Sequence, residues 1–173
     1  MMERQEPVRV LFLCTRNSAR SQIAEALLVH EGGARFEVAS AGAEPGMSVD
    51  PMTFEVLDEL GIDWRAHRPK GFDVVQDTEW DLVVTVCNRA REACPVLPGS
   101  PMFAHWSLED PEDQLGSVAQ RRAYFHRIVA LVHDCIQDFV TLGVGEWTEQ
   151  RLAAWFRPSL GTDPRDGRRA GVR

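Results

Sequence analysis

The sequence predicts an α/β protein: a doubly wound, four-stranded parallel sheet with helices on both faces. Two patterns lead to this prediction. Short apolar runs alternate along the chain with segments of helical periodicity. The runs are almost continuously apolar, which is typical of strands that a parallel sheet buries on both faces. The length of 173 residues is that of one domain and is sufficient to bury a core without disulfides.

The strands are predicted from the apolar runs, three of them clear and the fourth weaker. They are expected at residues 8–13, 36–40, 81–86 and 101–104. In such a sheet, ligands bind at the carboxyl ends of the strands, where a loop leads into the next helix. The loop after the first strand is therefore the first place to search for a site.

The first two helices are bounded by residues that favour helix ends. Asn17 or Ser18 is expected to cap the first helix, and the glycine pair at 32–33 to end it. The second helix is expected to begin at Pro51 and to end at Gly61. A loop rich in glycine and proline separates the second strand from this helix.

The longest periodic segment runs from 117 to 140, with Val118 among the apolar residues of its stripe. A shorter helix is expected over 146–156. We therefore predict one functional domain at 1–145, followed at 146–173 by a C-terminal helix and a mobile tail. The tail is basic, since residues 157–173 contain five Arg and two Asp.

Composition and charge exclude several classes of function. The formal net charge is -7, whereas a nucleic-acid-binding module needs a basic face. No apolar run approaches the roughly 20 residues of a membrane helix. The polar residues 1–6 do not read as a signal peptide, so a cytoplasmic location without membrane attachment is expected. An anionic substrate would need a focused local site.

The loop after the first strand carries such a site. Cys14 ends the strand, and Arg20 and Ser21 begin the next helix. Successive backbone N–H groups in a loop of this kind form an anion nest, and the helix N-terminus adds partial positive charge. The guanidinium of Arg20 is a planar donor suited to a tetrahedral oxyanion. The predicted oxyanion-binding residues are Thr15, Arg16, Asn17, Ser18, Ala19, Arg20 and Ser21.

The same positive field predicts that Cys14 is a nucleophile. A free cysteine has a pKa of about 8.5, and such surroundings lower it to roughly 3.5–7.5. Ser21 is expected to donate a hydrogen bond to the sulfur. Asn17 is expected to hold the loop by bonding its backbone.

Three further cysteines are present: Cys87, Cys94 and Cys135. Cys87 ends the third strand, so the sheet should bring it close to the first loop. Cys94 follows seven residues later. Cys135 falls on the apolar stripe of the long helix and is expected to pack in the core. His126 and His133 lack further ligands nearby, and no zinc site is predicted.

The pattern C-x5-R-S at 14–21, followed by Ser-Ala-Gly at 40–42 and Asp110 before Pro111, resembles the low-molecular-weight protein tyrosine phosphatase family. Within that family the chain is most similar to the thioredoxin-coupled arsenate reductases. The resemblance covers about residues 8–140. It implies the low-molecular-weight phosphatase fold, arsenate as substrate, thioredoxin as reductant, and no cofactor.

The resemblance also implies a mechanism. Cys14 attacks arsenate, and Asp110 protonates the departing oxygen. Cys87 then attacks Cys14, arsenite leaves, and Cys94 attacks Cys87, so that thioredoxin finally reduces a Cys87–Cys94 disulfide. If 87–94 were helical, the two Cα atoms would lie roughly 10 Å apart along the axis, whereas a disulfide needs about 4.4–6.8 Å. The segment is therefore expected to unwind.

Two other functions remain open. The first is a phosphatase, although Glu112 stands where that branch places a tyrosine for stacking. The second is a non-catalytic oxyanion-binding or redox-sensing protein. Arg16 and Ala19 depart from the reductase pattern. Some family members bind potassium at positions matching Asn17, Glu25 and Ser40, but basic residues at 66–70 oppose a cation here, so no metal is predicted.

Overall fold

The sheet of this computed structural model confirms the predicted fold class. The structure describes residues 6–112, 114–142, 146–148, 150 and 151. The four strands are β1 (Val8–Cys14), β2 (Phe36–Gly42), β3 (Leu82–Thr85) and β4 (Met102–His105). All neighbouring strands are parallel, in the order β2-β1-β3-β4. β3 is buried along its whole length, as its continuous apolar sequence predicts.

Four α-helices accompany the sheet in the part of the chain that the structure describes. They are α1 (Arg20–Gly32), α2 (Pro51–Asp58), α3 (Asn88–Ala93) and α4 (Val118–Thr141). The crossover from β1 to β2 through α1 and the crossover from β3 to β4 through α3 run in opposite directions. Because such crossovers are right-handed, α1 and α3 lie on opposite faces of the sheet. Every helix in the described part of the chain is too short or too polar to cross a bilayer.

Two helix starts agree with the sequence. Pro51 is the first residue of α2, and the carboxylate of Asp50 accepts a hydrogen bond from the Met52 N–H at 2.8 Å. Ser117 caps α4 in a capping box with Gln120. The end of α2 lies earlier than predicted, because the chain leaves the helix after Asp58 and continues through turns into Gly61.

The predicted cap of α1 is wrong. The residue before the helix is Ala19, which makes no capping hydrogen bond through its side chain. Asn17 instead adopts a left-handed conformation with φ of 53° inside the loop. Its side chain bonds to Ser40 and to the backbone of Lys70, and that of Ser18 bonds to Glu112, so neither caps the helix.

α4 buries most of its predicted stripe against α1. Phe125, Ile136, Phe139 and the core residue Cys135 are all at most 1% exposed. Val118 is 68% exposed, contrary to the prediction, because it lies in the first turn beyond the packed region. Trp147 packs against Phe139 in a tilted arrangement, with ring centroids 4.1 Å apart. Residue 149 and residues 152–173 of the predicted final helix and tail lie outside the described residues, and the domain boundary at 145 stays a prediction.

Candidate active site

The loop between β1 and α1 presents its peptide N–H groups to one side. Four carbonyl oxygens of the loop accept hydrogen bonds from backbone N–H groups of residues 43–50 at 2.8–3.1 Å. They are the carbonyls of Cys14, Thr15, Arg16 and Ser18. The C=O and the following N–H of a trans peptide point in opposite directions, so these N–H groups face the concave side. The Asn17 N–H does so, because it donates to Cys14 Sγ at 3.0 Å. The result is an anion nest.

Gly42 allows the loop to approach β2 closely. A Cβ atom at this position would lie 2.5 Å from the carbonyl oxygen of Thr15 and 2.9 Å from the N atom of Asn17. Both contacts are with backbone, which cannot move without reshaping the nest. The glycine of the Ser-Ala-Gly motif is therefore needed for the loop to lie against the end of β2.

Cys14 lies at the bottom of the nest and is 2% exposed. Its sulfur is 2.8 Å from Ser21 Oγ. That oxygen accepts a hydrogen bond from Asn17 Nδ2 at 2.8 Å, which leaves the serine hydroxyl hydrogen to point at the sulfur. The structure thus places Ser21 as the sequence predicts.

Burial raises the pKa of the Cys14 thiol above its ordinary value. The hydrogen bond from Ser21, the charge of Arg20 and the N–H of Asn17 all act in the opposite direction but are smaller effects. The predicted lowering of this pKa is therefore wrong for the conformation in this structure. The sequence reveals the donors around the thiol, whereas the extent of desolvation is a tertiary property.

Asn17 organises the loop through its side chain. Its Nδ2 donates to the hydroxyls of Ser21 and Ser40, each at 2.8 Å. Its Oδ1 accepts from the backbone N–H of Lys70 at 2.8 Å and from Gln22 Nε2 at 3.0 Å. The prediction that Asn17 bonds the loop's own backbone is wrong, because these tertiary partners take up the amide. Gln22, which the sequence analysis missed, also donates to the Asn17 carbonyl at 3.1 Å.

A buried ion pair lies behind Asn17. The Glu25 carboxylate accepts a hydrogen bond from Ser40 and lies 3.7 Å from Lys70 Nζ. The ammonium group thus supplies a positive charge beside the residues that the family resemblance suggested as potassium ligands. Among the described residues, no group of three or more His, Cys, Asp or Glu side chains is arranged to hold a metal ion.

We expect Lys70→Met to lower the free energy of unfolding by about 2 kcal/mol, because the Glu25 carboxylate would lose its buried partner. Urea unfolding measures this change. The matched control is Arg89→Met, which breaks an exposed pair with Glu44 and should cost less than about 1 kcal/mol. The wild-type melting temperature should be equal in KCl and NaCl at the same ionic strength. A higher melting temperature in KCl than in NaCl would contradict the conclusion that Lys70 supplies the cation beside Glu25.

Arg20 joins the nest to the loop that carries Asp110. Its Nη2 donates to Asp110 Oδ2 at 2.7 Å, and its Nη1 donates to the Leu108 carbonyl oxygen at 3.0 Å. The arginine side chain is 8% exposed and that of Asp110 is 18% exposed. The structure therefore brings Cys14, Arg20 and Asp110, the predicted nucleophile, oxyanion donor and acid, to one site.

A second contact joins the same two loops. The Ser18 hydroxyl donates to Glu112 Oε2 at 2.5 Å, and the Glu112 N–H donates to Asp110 Oδ1 at 3.0 Å. Burial raises the pKa of Glu112, and the charges of Asp110 and Asp50 add to this effect. Arg16 is exposed at the rim of the nest, whereas Ala19 is buried under it.

Cys87 lies where the end of β3 meets the nest, as predicted. Its Sγ is 3.3 Å from Thr15 Oγ1, and its charge is close enough to affect the pKa of Cys14. The sulfur also accepts a hydrogen bond from the Ala90 N–H at 3.3 Å, so Cys87 caps α3. Cys94 lies at the other end of this helix and is half-buried, with a pKa raised by burial. All four cysteines are reduced.

His105 is a residue of this site that the sequence analysis missed. Its Nδ1 is 2.7 Å from Thr85 Oγ1, and its Nε2 is 3.0 Å from Asn88 Oδ1. It thereby connects the ends of β3 and β4 to the first residue of α3. Burial lowers its pKa, and the charge of Arg91 adds to this effect. Its position at the carboxyl end of a parallel strand is the signal that could have found it.

A cysteine at the base of an anion nest, with an arginine and a carboxylate beside it, defines a class of proteins that attack tetrahedral oxyanions with a thiol. The family of low molecular weight phosphotyrosine protein phosphatases matches residues 9–148 of the chain. The chain belongs to this family.

Several relatives and solved structures are similar to the chain. An arsenate reductase of Halalkalibacterium halodurans is 34% identical over 134 residues, which cover 78% of this chain and 96% of that protein. The crystal structure of an arsenate reductase from Archaeoglobus fulgidus has a TM-score of 0.61 at 30% identity, covering 77% of this chain and 99% of the other. A thioredoxin-dependent arsenate reductase of Corynebacterium glutamicum has a TM-score of 0.61 at 30% identity, over 80% of this chain and 63% of the other.

Proposed function

We propose that the chain is an arsenate reductase that uses Cys14, Cys87 and Cys94 in sequence, with thioredoxin as the reductant. The observation that carries the proposal is the position of Cys87, whose thiol lies 3.3 Å from Thr15 in the nest that holds Cys14. A phosphatase needs only the first cysteine. A second thiol beside the nest supports a reaction that consumes two electrons.

The first step is the attack of Cys14 on arsenate held by the N–H groups of the nest and by Arg20. The Cys14 thiol first passes its proton to an arsenate oxygen. A sulfur–arsenic bond then forms, and one oxygen that already carries a hydrogen leaves as water after Asp110 donates a proton. Cys87 then attacks the Cys14 sulfur. The electron pair of the sulfur–arsenic bond passes to arsenic, which leaves as arsenite, and a Cys14–Cys87 disulfide remains.

The second half restores the thiols. Cys94 attacks Cys87, which releases the Cys14 thiol and produces a Cys87–Cys94 disulfide. The dithiol of thioredoxin then reduces this bond and is itself oxidised. The names of the relatives support both the substrate and the reductant, since one of them is described as thioredoxin-dependent.

The deciding experiment measures arsenite formed by the purified protein with thioredoxin and its reductase, next to hydrolysis of p-nitrophenyl phosphate. Continuous arsenite production supports the proposal. Ester hydrolysis without arsenite production would indicate a phosphatase. Arsenate binding without either reaction would indicate an oxyanion-binding or redox-sensing protein.

We expect oxidation to unwind α3 and to leave the sheet unchanged. The helix separates its flanking cysteines by roughly 10 Å, which is too far for a disulfide. Oxidation also removes the Cys87 thiol as the cap of the helix. Of residues 88–93 only Ala90 is buried, so the opening should cost only a few kcal/mol.

Hydrogen exchange on the reduced and oxidised protein tests this expectation. The amides of 88–93 should exchange faster after oxidation, whereas those of the neighbouring strand at 82–85 should not change. Equal exchange of 88–93 in the two states would show that no such switch exists.

A further inference from the structure

Glu112 bridges the two loops that enclose the site. Its carboxylate accepts a hydrogen bond from the Ser18 hydroxyl at 2.5 Å. Two residues earlier in the same loop, the Asp110 carboxylate accepts a hydrogen bond from Arg20 at 2.7 Å. Ser18 and Arg20 are both largely buried, at 3% and 7% exposure. The acid loop is thus held on the oxyanion loop at two points, one of them made by Glu112.

The contact between Glu112 and Ser18 lies where the organic leaving group of a phosphate monoester would have to extend. A thiol at the base of the nest displaces an oxygen on the opposite side of the bound oxyanion, because the displacement is in line. As the proposed acid held beside the nest by Arg20, Asp110 would protonate the oxygen on that side. The organic part of a phosphate monoester would have to extend past Asp110, where Glu112 is bonded to Ser18. The corresponding oxygen of a free oxyanion carries only hydrogen and needs no such space.

Charged groups also surround Glu112. Asp110 and Asp50 both lie close enough to affect it, and Arg16 is the cation that offsets them. Asp50 is itself paired with Arg121 at 3.1 Å. Negative charge repels arsenate and a phosphate monoester alike, so the selection between them rests on the space that Glu112 closes.

We propose that Glu112 is a specificity-determining residue that closes the mouth of the oxyanion loop and selects inorganic oxyanions over organic phosphate monoesters. This inference deepens the proposed function and shares with it the oxyanion site. It does not depend on Cys87 or on thioredoxin.

The test compares kcat/KM for p-nitrophenyl phosphate with kcat/KM for arsenate. In ester hydrolysis a bond forms between the Cys14 sulfur and phosphorus. The bond from phosphorus to the phenol oxygen breaks with a proton from Asp110, and water then releases phosphate. Glu112→Ala should raise the ratio of ester to arsenate by at least about tenfold, mainly through a lower KM for the ester. Glu112→Ser is a second truncation with the same expected result.

Two controls separate closure from a general loss of charge. Glu109→Ala removes an exposed carboxylate of the same loop and should leave the ratio within about twofold of wild type. Glu112→Gln keeps the size and the acceptor for Ser18, so its ratio should also stay near wild type. The proposal would be overturned if the ratio of ester to arsenate kcat/KM did not rise in the two truncations. It would also be overturned if the ratio rose equally in Glu109→Ala or in Glu112→Gln.

The role of Glu112 can be tested whether or not the protein reduces arsenate. If the wild type forms no arsenite, the ester kcat/KM is compared with the affinity for inorganic phosphate, measured by competitive inhibition. A gain of ester hydrolysis in the truncations would then support the role of Glu112 although the reductase proposal had failed.

Discussion

Cys87→Ser should reduce multiple turnover of arsenate by at least about 100-fold, because the thiols of the relay act as a unit. The variant retains Cys14, Arg20 and Asp110, so the first covalent step can still occur. No second thiol is then positioned to attack the Cys14 sulfur, and arsenic stays in the higher oxidation state. NADPH consumption coupled to thioredoxin and its reductase measures the loss.

Cys135→Ser is the matched control for this prediction. Cys135 is 1% exposed in the core, and burial raises its pKa to about 12. It belongs to α4 rather than to the loops and strand ends that form the site, so its substitution should leave turnover near the wild-type value. Normal steady-state turnover by Cys87→Ser would refute the relay.

Arg20→Lys should lower kcat/KM for arsenate by roughly 100- to 1,000-fold, the usual effect of removing a donor to the developing charge. The guanidinium directs Nη1 and Nη2 to two acceptors at once, Leu108 O and Asp110. An ammonium group has no planar pair of donors. Both Nη atoms already donate to the protein, so a two-pronged contact with the oxyanion would use their second hydrogens or Nε. The variant would lose these donors and the fixed position of Asp110.

Arg16→Lys is the matched control, because Arg16 lies in the same loop but is exposed at its rim. Its effect should remain within about threefold, since lysine keeps the positive charge and the side chain is exposed. Inorganic phosphate as a competitive inhibitor reports oxyanion affinity separately from the redox steps. An Arg20→Lys variant with unchanged phosphate affinity would contradict the two-pronged role.

The arrangement of the sheet was predictable because it depends on local patterns. Buried parallel strands are almost continuously apolar, and β1 and β3 show this in their sequences. Parallel strands end at one edge, so the positions of Cys14 and Cys87 at two strand ends indicated that they would meet. The position of the loop from Cys14 to Arg20, between the end of a buried strand and the start of a helix, indicated the anion nest.

Other features of the site depend on segments far apart in the chain. Asn17 looks like a helix cap in sequence, but Ser40 and Lys70 offer its amide better-placed partners. His105 stands alone in the sequence and acquires meaning only beside Thr85 and Asn88. No local pattern encodes such contacts.

The sequence by itself determined the fold class, the family resemblance and the thiols, arginine and carboxylate of the site, because strand burial and short motifs are local properties. Only the tertiary structure decided the pKa of the nucleophile and the contacts that hold the acid loop in place. Desolvation of Cys14 exceeds the effect of its donors, and Glu112 folds back onto Ser18 across 94 positions of the chain. Burial and long-range contacts arise when distant segments pack together, and the pattern of any one segment does not contain them.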